Sequence, residues 1–475
     1  MNTPIKTILY FLVCPFVLIS YLLEPFTGDV KIYLGTALQT DKLGGIDQAW
    51  EIKPPGNRIL FYLLSKIPGE ALQYQILCKA IVAIVAIAII YYFAKNVSKR
   101  MDIEHDAVFI LSFLAFFAIS DYVMLEVEWF CVLIMMLMMG LYLSDNEDLM
   151  FLAGVVVLPL FLMKGISILF AGTVFALVFF ITKRRFTFRG EMPFILGCVV
   201  AGFGFVVLQL TLFPHMIQDM LLSSAISHVT LFNPILRIFN FVYFVSLGYW
   251  FIPVLAIGFT TFLVVYYHDA LNNTRQFLWL ALAWLFPCIM IFAQGEMFQY
   301  HFAPMIVPSI ITILYFIKQP YTWGNTFYSA VALMLLLWVV FAVGWGAVVS
   351  GYHYAYWEQR DSEALAVDSE LNLSGQSHLL YLDPGDAIWY FRSTSASRYT
   401  CALPVQRDSD VWDMKGYPAY SENYNDIMNY SGKYIVSTPW FFQNMTTDKE
   451  RIVMKMKSEY VEKYNGTWQI WGRKE

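Results

Sequence analysis

Charge is scarce in this chain. Asp, Glu, Lys and Arg make up 14% of its 475 residues, against 58% hydrophobic ones. A soluble domain of that length could not hide so much apolar surface, so ordinary globular classes are excluded. There is no basic excess either: 31 Lys and Arg face 36 Asp and Glu, a formal net charge of -5. That removes the electrostatic footprint expected of a nucleic-acid binder. The six cysteines (Cys14, Cys78, Cys131, Cys198, Cys288 and Cys401) are scattered, with no Cys-x-x-Cys pair. A zinc ribbon or a disulfide framework is thereby disfavoured, and they read as small buried hydrophobes. No small-residue cleavage site follows the first apolar run, Ile8 to Leu23, which reads as a signal anchor. No internal repeat is evident.

What is there is a series of apolar runs, several of them near the roughly 20 residues that cross about 30 Å of hydrocarbon. They predict an α-helical polytopic membrane protein of about eleven transmembrane helices. The spans are 5–23, 71–93, 107–119, 129–143, 150–163, 166–181, 192–213, 241–267, 277–292, 303–317 and 328–349. Two basic clusters, Lys95-Lys99-Arg100 and Lys183-Arg184-Arg185-Arg189, fall on one side of the alternation, and the acidic loops fall on the other. The positive-inside rule then puts the N-terminus in the cytoplasm. Residues 1–350 form the membrane domain, with a first external loop over 24–70, and 351–475 form a small extracytoplasmic α/β domain. In that tail, His378–Asp383 and Tyr434–Thr438 read as buried strands, Asp383-Pro384-Gly385 as a turn and Lys449–Tyr464 as a helix. Its four N-x-S/T sequons, at Asn372, Asn429, Asn444 and Asn465, are near what chance allows in an Asn- and Ser-rich stretch.

The first external loop organises the rest. Asp29 sits just past the first span. A boundary acid is usually solvated; the alternative is a general base facing a lipid-borne substrate. Lys53 precedes Pro54-Pro55, which predicts a stiffened, extended backbone carrying a point charge suited to a phosphate. The bland alternative is a snorkelling lysine. Asn57 and Arg58 follow at once and add phosphate-binding character. Asp121, Glu126 and Glu128 abut the fourth span, and two readings balance there: oxygen ligands for a hard divalent cation, or a polar cap. Lys164 interrupts an apolar run, so it lies near the surface or faces a cavity. His301 stands with Glu296 and Tyr300 before the tenth span; a lone His is usually structural, but this group sits on the same predicted side as the acidic loops.

The order of these features resembles the GT-C glycosyltransferases that use polyprenyl-phosphate sugars, especially the protein O-mannosyltransferase and aminoarabinose transferase type, glycosyltransferase family 39. The resemblance rests on the external acid Asp29, the aromatic-x-x-Lys-Pro element Trp50 to Pro54, the lysine hinge Met163-Lys164-Gly165 and the late Tyr300-His301-x-x-Pro304. It covers about residues 5–317, loosely, and departs from the family in having one acid where relatives carry a pair. It implies a sugar donor on dolichyl or undecaprenyl phosphate, an inverting single displacement, and a protein, lipid or glycan acceptor outside the cell membrane. Asp29 would be the base. Lys53 and Arg58 would offset charge on the leaving phosphate. Lys164, Glu296, Tyr300 and His301 would bind substrate, and Asp121, Glu126 and Glu128 could hold a divalent metal cation. The rival from another class is a lipid or glycan transporter or flippase, which would need polar groups near the bilayer midplane.

Overall fold

The computed structural model describes residues 8–24, 26, 28–45, 55–68, 71–117, 125–164, 167–213, 257–259, 261–263, 265, 274–294, 299–318, 348, 351, 354–355, 358–382, 386–399, 419–443 and 445–475. The expected eighth span is described only in short helical pieces, and the eleventh lies almost wholly outside these residues. The chain divides into two compact units. One contains the described residues of Met1–Pro25, Ile76–Ile217 and Ser227–His353; the other contains those of Phe26–Gln75 and Tyr354–Glu475.

The first unit is helical. Its elements are α1 (Leu9–Leu23), α4 (Ala71–Met101, whose first residues lie in the other unit), α5 (His105–Phe117), α6 (Val127–Tyr142), α7 (Glu147–Val155), α8 (Val157–Met163), α9 (Ile168–Thr182), α10 (Met192–Thr211), α11 (Thr274–Gln294) and α12 (Ile306–Lys318). A tight helical turn, Gln299–Met305, leads into α12. Among the described residues, Gln73–Met101, Met192–Thr211 and His301–Lys318 are long and apolar enough to cross a membrane. Helix α10 leaves Val199, Phe203, Val206 and Leu210 exposed, an apolar ridge at helical spacing that suits lipid.

Polar groups stitch these helices together where hydrophobicity alone cannot choose a partner. The Gln276 amide of α11 donates to Phe180 O of α9 at 3.1 Å, and the Trp284 indole N–H of α11 donates to Thr312 Oγ1 of α12 at 3.1 Å. Helices α7 and α10 touch backbone to backbone at Gly154 and Gly197. A Cβ on Gly154 would meet Phe194 O and stand 2.8 Å from Cys198 N; one on Gly197 would meet Phe151 O.

The second unit joins α2 (Gly28–Thr40) and α3 (Pro55–Ser65) to a four-stranded sheet. Its strands are β1 (Leu380–Leu382), β2 (Tyr434–Ser437), β3 (Tyr460–Asn465) and β4 (Gln469–Arg473), in the order β1-β2-β4-β3. The β1–β2 pair is parallel and the others antiparallel. Alternation along the strands builds two cores. Leu379, Tyr381, Val436 and Ile470 pack with Val367 from the helix over 358–371 and Ile388 of α13 (Asp386–Phe391). Leu380, Leu382 and Ile435 pack with Ile427 of α14 (Ala419–Asn429) and Ile452 of α15 (Thr447–Glu459).

Three local expectations change. Over its described residues the first external loop is largely helical, with Pro55 opening α3, so the extended backbone expected at Pro54-Pro55 does not reach Pro55. Proline suits that position because the first helical N–H has no partner to lose. The tail helix ends at Glu459, and Tyr460–Asn465 is a strand, because pairing with Gln469–Arg473 overrides local propensity. Strand β4, paired with both β2 and β3, adds an element beyond those expected of the tail. The turn at Asp383-Pro384-Gly385 and the sequon at Asn444 fall outside the described residues.

Candidate functional site

In the second unit, Asp29 is half-buried in the first turn of α2, where the helix N-terminus favours a negative group. One turn later the Tyr33 hydroxyl lies 3.5 Å from Asp29 Oδ2, in donor geometry. Tyr33 is held by the Phe61 ring of α3, with centroids 5.1 Å apart. Arg58 precedes Phe61 by three residues and so shares its face of α3; both it and Asn57 are buried. Lys31, also buried, places its ammonium 5.6 Å from the Tyr390 ring centre.

The far end of α2 is tied to the tail. Gln39 is fully buried; its amide donates to Ser393 O at 3.1 Å and its oxygen accepts from Ser395 N at 2.9 Å. The Lys42 ammonium donates to Arg392 O, and burial, with the Arg392 charge, lowers the lysine's pKa. Burial raises the Asp361 carboxyl above the usual carboxylate range, with Lys31 and Arg392 pulling the other way. At the same end of α2, hydrogen bonds from Lys66 and Tyr62 hold the Asp41 carboxyl below that range.

In the first unit, Glu128 lies in the first turn of α6 and is 1% exposed. Its Oε1 receives the Lys164 ammonium and stands 3.6 Å from His301 Nε2. Lys164 follows the last residue of α8 and keeps 23% of its side chain accessible. His301 is buried in the turn before α12. A carboxylate this deep is costly unless paired, and here it has two cationic or protonatable partners from separate stretches of the chain. The arrangement fixes an ammonium and an imidazole around one acid, with the ammonium still reachable. That can hold an anionic group.

Of the sequence-derived candidates, the structure brings together Glu128, Lys164 and His301 in one unit, and places Asp29 and Arg58 in the other. Glu126 is buried two residues before Glu128. Lys53, Asp121 and Glu296 lie outside the described residues, and Tyr300 is described as part of the turn before α12. Among the described residues no group of three or more His, Cys, Asp or Glu could hold a metal ion. A cation at Asp121, Glu126 and Glu128 would share Glu128 with Lys164.

Four residues with roles here were missed. Lys79, 1% exposed in α4, donates to Tyr21 O at 2.8 Å and to Glu24 O, capping carbonyls left over at the end of α1. As a lone charge in a long apolar run it carried its own signal. Lys31 and Tyr33 stand at helical spacing beside Asp29 and become visible once 28–40 is read as a helix. Gln39 carried no signal, because its partners lie more than 350 positions away.

No family model and no curated protein matches this sequence. Among solved structures, the chain is similar to ArnT from Cupriavidus metallidurans bound to undecaprenyl phosphate. The likeness covers 99% of this chain and 98% of that one, with a TM-score of 0.56 and 12% identity. At that identity the likeness is one of fold, and it extends over both units, tail included. The fold of this chain is GT-C-like.

Proposed function

We propose that the chain is a membrane glycosyltransferase moving a hexosyl or pentosyl unit from a dolichyl or undecaprenyl phosphate to an extracytoplasmic acceptor, with inversion. In the displacement, Asp29 takes the acceptor hydroxyl proton while the acceptor oxygen bonds to the anomeric carbon. The bond from that carbon to the phosphate oxygen breaks, and polyprenyl phosphate departs with the electron pair. Lys53 and Arg58 offset the charge on the leaving phosphate. Lys164, Glu296, Tyr300 and His301 bind substrate, with Glu128 orienting Lys164 and His301. A divalent cation at Asp121, Glu126 and Glu128 would compete with Lys164 for the Glu128 carboxylate.

The observation that supports the reading best is the likeness along essentially the whole chain to a structure that holds undecaprenyl phosphate. The buried Glu128–Lys164–His301 cluster adds anion-binding chemistry that a passive anchor for the tail would not need. The test is an assay of purified protein in detergent with a panel of polyprenyl-phosphate sugars and protein, lipid and glycan acceptors. Release of polyprenyl phosphate coupled to sugar transfer is expected. Movement of intact lipid-linked sugar across vesicles, with no transfer, would establish the transporter reading instead.

A further inference from the structure

Helices α8, α9, α10 and α11 enclose a cavity of about 670 Å³ that none of the residues proposed for sugar transfer lines. Its walls are aliphatic and aromatic, and it exists because Ala171, Gly172, Ala201 and Gly202 put little side-chain volume into the space between the helices. Phe194 and Phe205 of α10 both line it, so at 1.5 Å rise per residue it runs about 16 Å along that helix. Gly202 is exposed, and a Cβ added there would meet nothing within 4 Å. The cavity therefore opens on the apolar, unburied side of α10, where Val199, Phe203 and Val206 are also bare.

One end of this cavity meets the strongest basic cluster in the chain. Phe175 of α9 lines the cavity, and its ring lies 6.1 Å from Phe186, in the loop between α9 and α10, and 6.0 Å from Phe194, in the first turn of α10. In that loop Arg184 is paired with Glu191 at 3.0 Å. Lys183, Arg185 and Arg189 are exposed and have no ion pair among the described residues. Phe186 and Phe188 are 46% and 61% exposed beside them. Exposed phenylalanines beside cations suit the boundary between acyl chains and headgroups, the rings on the apolar side and the charges on the polar one. Clustered cations there attract anionic headgroups.

We propose that the cavity and the 183–189 loop form a binding site for an anionic membrane phospholipid. One acyl chain fills the cavity, and the phosphate rests on Lys183, Arg185 and Arg189. The site's length suits an acyl chain and is too short for a polyprenyl chain, and a zwitterionic lipid would offer three cations no net charge. The inference needs only that α8–α11 lie in a bilayer, so it stands apart from the proposed sugar chemistry.

The test is native mass spectrometry of the full chain after exchange into vesicles of equal phosphatidylglycerol and phosphatidylcholine with matched acyl chains. Wild type should retain phosphatidylglycerol at least tenfold over phosphatidylcholine. Gly202→Leu, which fills the cavity from an open position, and the triple variant Lys183→Gln, Arg185→Gln, Arg189→Gln should each lose that retention while keeping the wild-type unfolding midpoint. Equal retention of the two lipids by wild type overturns the proposal, whatever the variants do. So does phosphatidylglycerol retention unchanged in Gly202→Leu, which would leave only surface charge, or displacement of the bound lipid by added polyprenyl phosphate, which would make this the donor's site.

Discussion

Gln39 pairs with Ser395 as one strand pairs with another: its side-chain oxygen takes the Ser395 amide at 2.9 Å while its nitrogen donates to the carbonyl of Ser393. The helix carrying Asp29 is thus tied to the tail by a buried side chain, in addition to the contacts of Lys31 with Tyr390 and of Lys42 with Arg392. Gln39→Leu keeps the volume and strands both backbone groups. The expected loss is about 1–3 kcal/mol of stability for an unsatisfied buried polar pair. It should appear as a lowered unfolding midpoint and faster hydrogen exchange over 28–40 and 393–395. Wild-type exchange in both segments would show that the clamp is dispensable.

Glu128→Gln leaves Lys164 and His301 without their shared carboxylate. Breaking one side of a buried charge pair typically costs about 3–5 kcal/mol, and substrate binding by Lys164 should suffer as the ammonium reorients. Transfer should fall by at least roughly tenfold. Glu147→Gln, at an exposed acid in the first turn of α7, serves as control and should be near normal. Equal, near-normal rates in the two variants would return Glu128 to a helix cap.

The crossing of α7 and α10 should tolerate no side chain at Gly197. Gly197→Ala pushes a Cβ against the Phe151 carbonyl and the Gly154 backbone, and overpacking of this kind costs about 1–3 kcal/mol. Gly202→Ala, five residues along the same helix in open space, should be neutral. The pair of unfolding midpoints in one detergent decides it: indistinguishable values would contradict the backbone-to-backbone crossing.

The proposed sidedness has a direct chemical reading. With all six native cysteines replaced, Lys42→Cys and Ser421→Cys, both exposed, should react with an impermeant thiol reagent in intact cells. Thr187→Cys, exposed in the basic loop, should react only after permeabilisation. Labelling of Thr187→Cys in intact cells would invert the topology.

The helical runs were legible because a membrane span declares itself by length and apolarity: α10 and α12 start and end near the expected spans, while α4 starts at Ala71 as expected and runs eight residues past 93, to Met101. The helices at 28–40 and 55–65 were not legible, since their mixed polarity matches neither a span nor a strand. Strand β3 was hidden behind a helical pattern, and β4 had only the short run Gln469–Arg473. Single residues fared by distance. Lys164, Glu128 and His301 were each singled out by an unusual charge near an apolar run. Their convergence could not be read, because it joins the start of α6, the end of α8 and the turn before α12 across up to 173 positions.

The most direct measurement is the initial rate of sugar transfer by Asp29→Asn against donor concentration, with donor binding measured separately. The amide keeps the size of the side chain and the contact from Tyr33 but cannot usefully accept a proton. General-base catalysis is typically worth about 100- to 10,000-fold, so the rate should drop at least roughly a hundredfold with expression, membrane insertion and donor affinity retained. Lys53→Ala should differ by losing donor affinity along with rate, since it removes a charge felt by bound donor and transition state alike. Wild-type turnover in Asp29→Asn would contradict the assignment of Asp29 as the base.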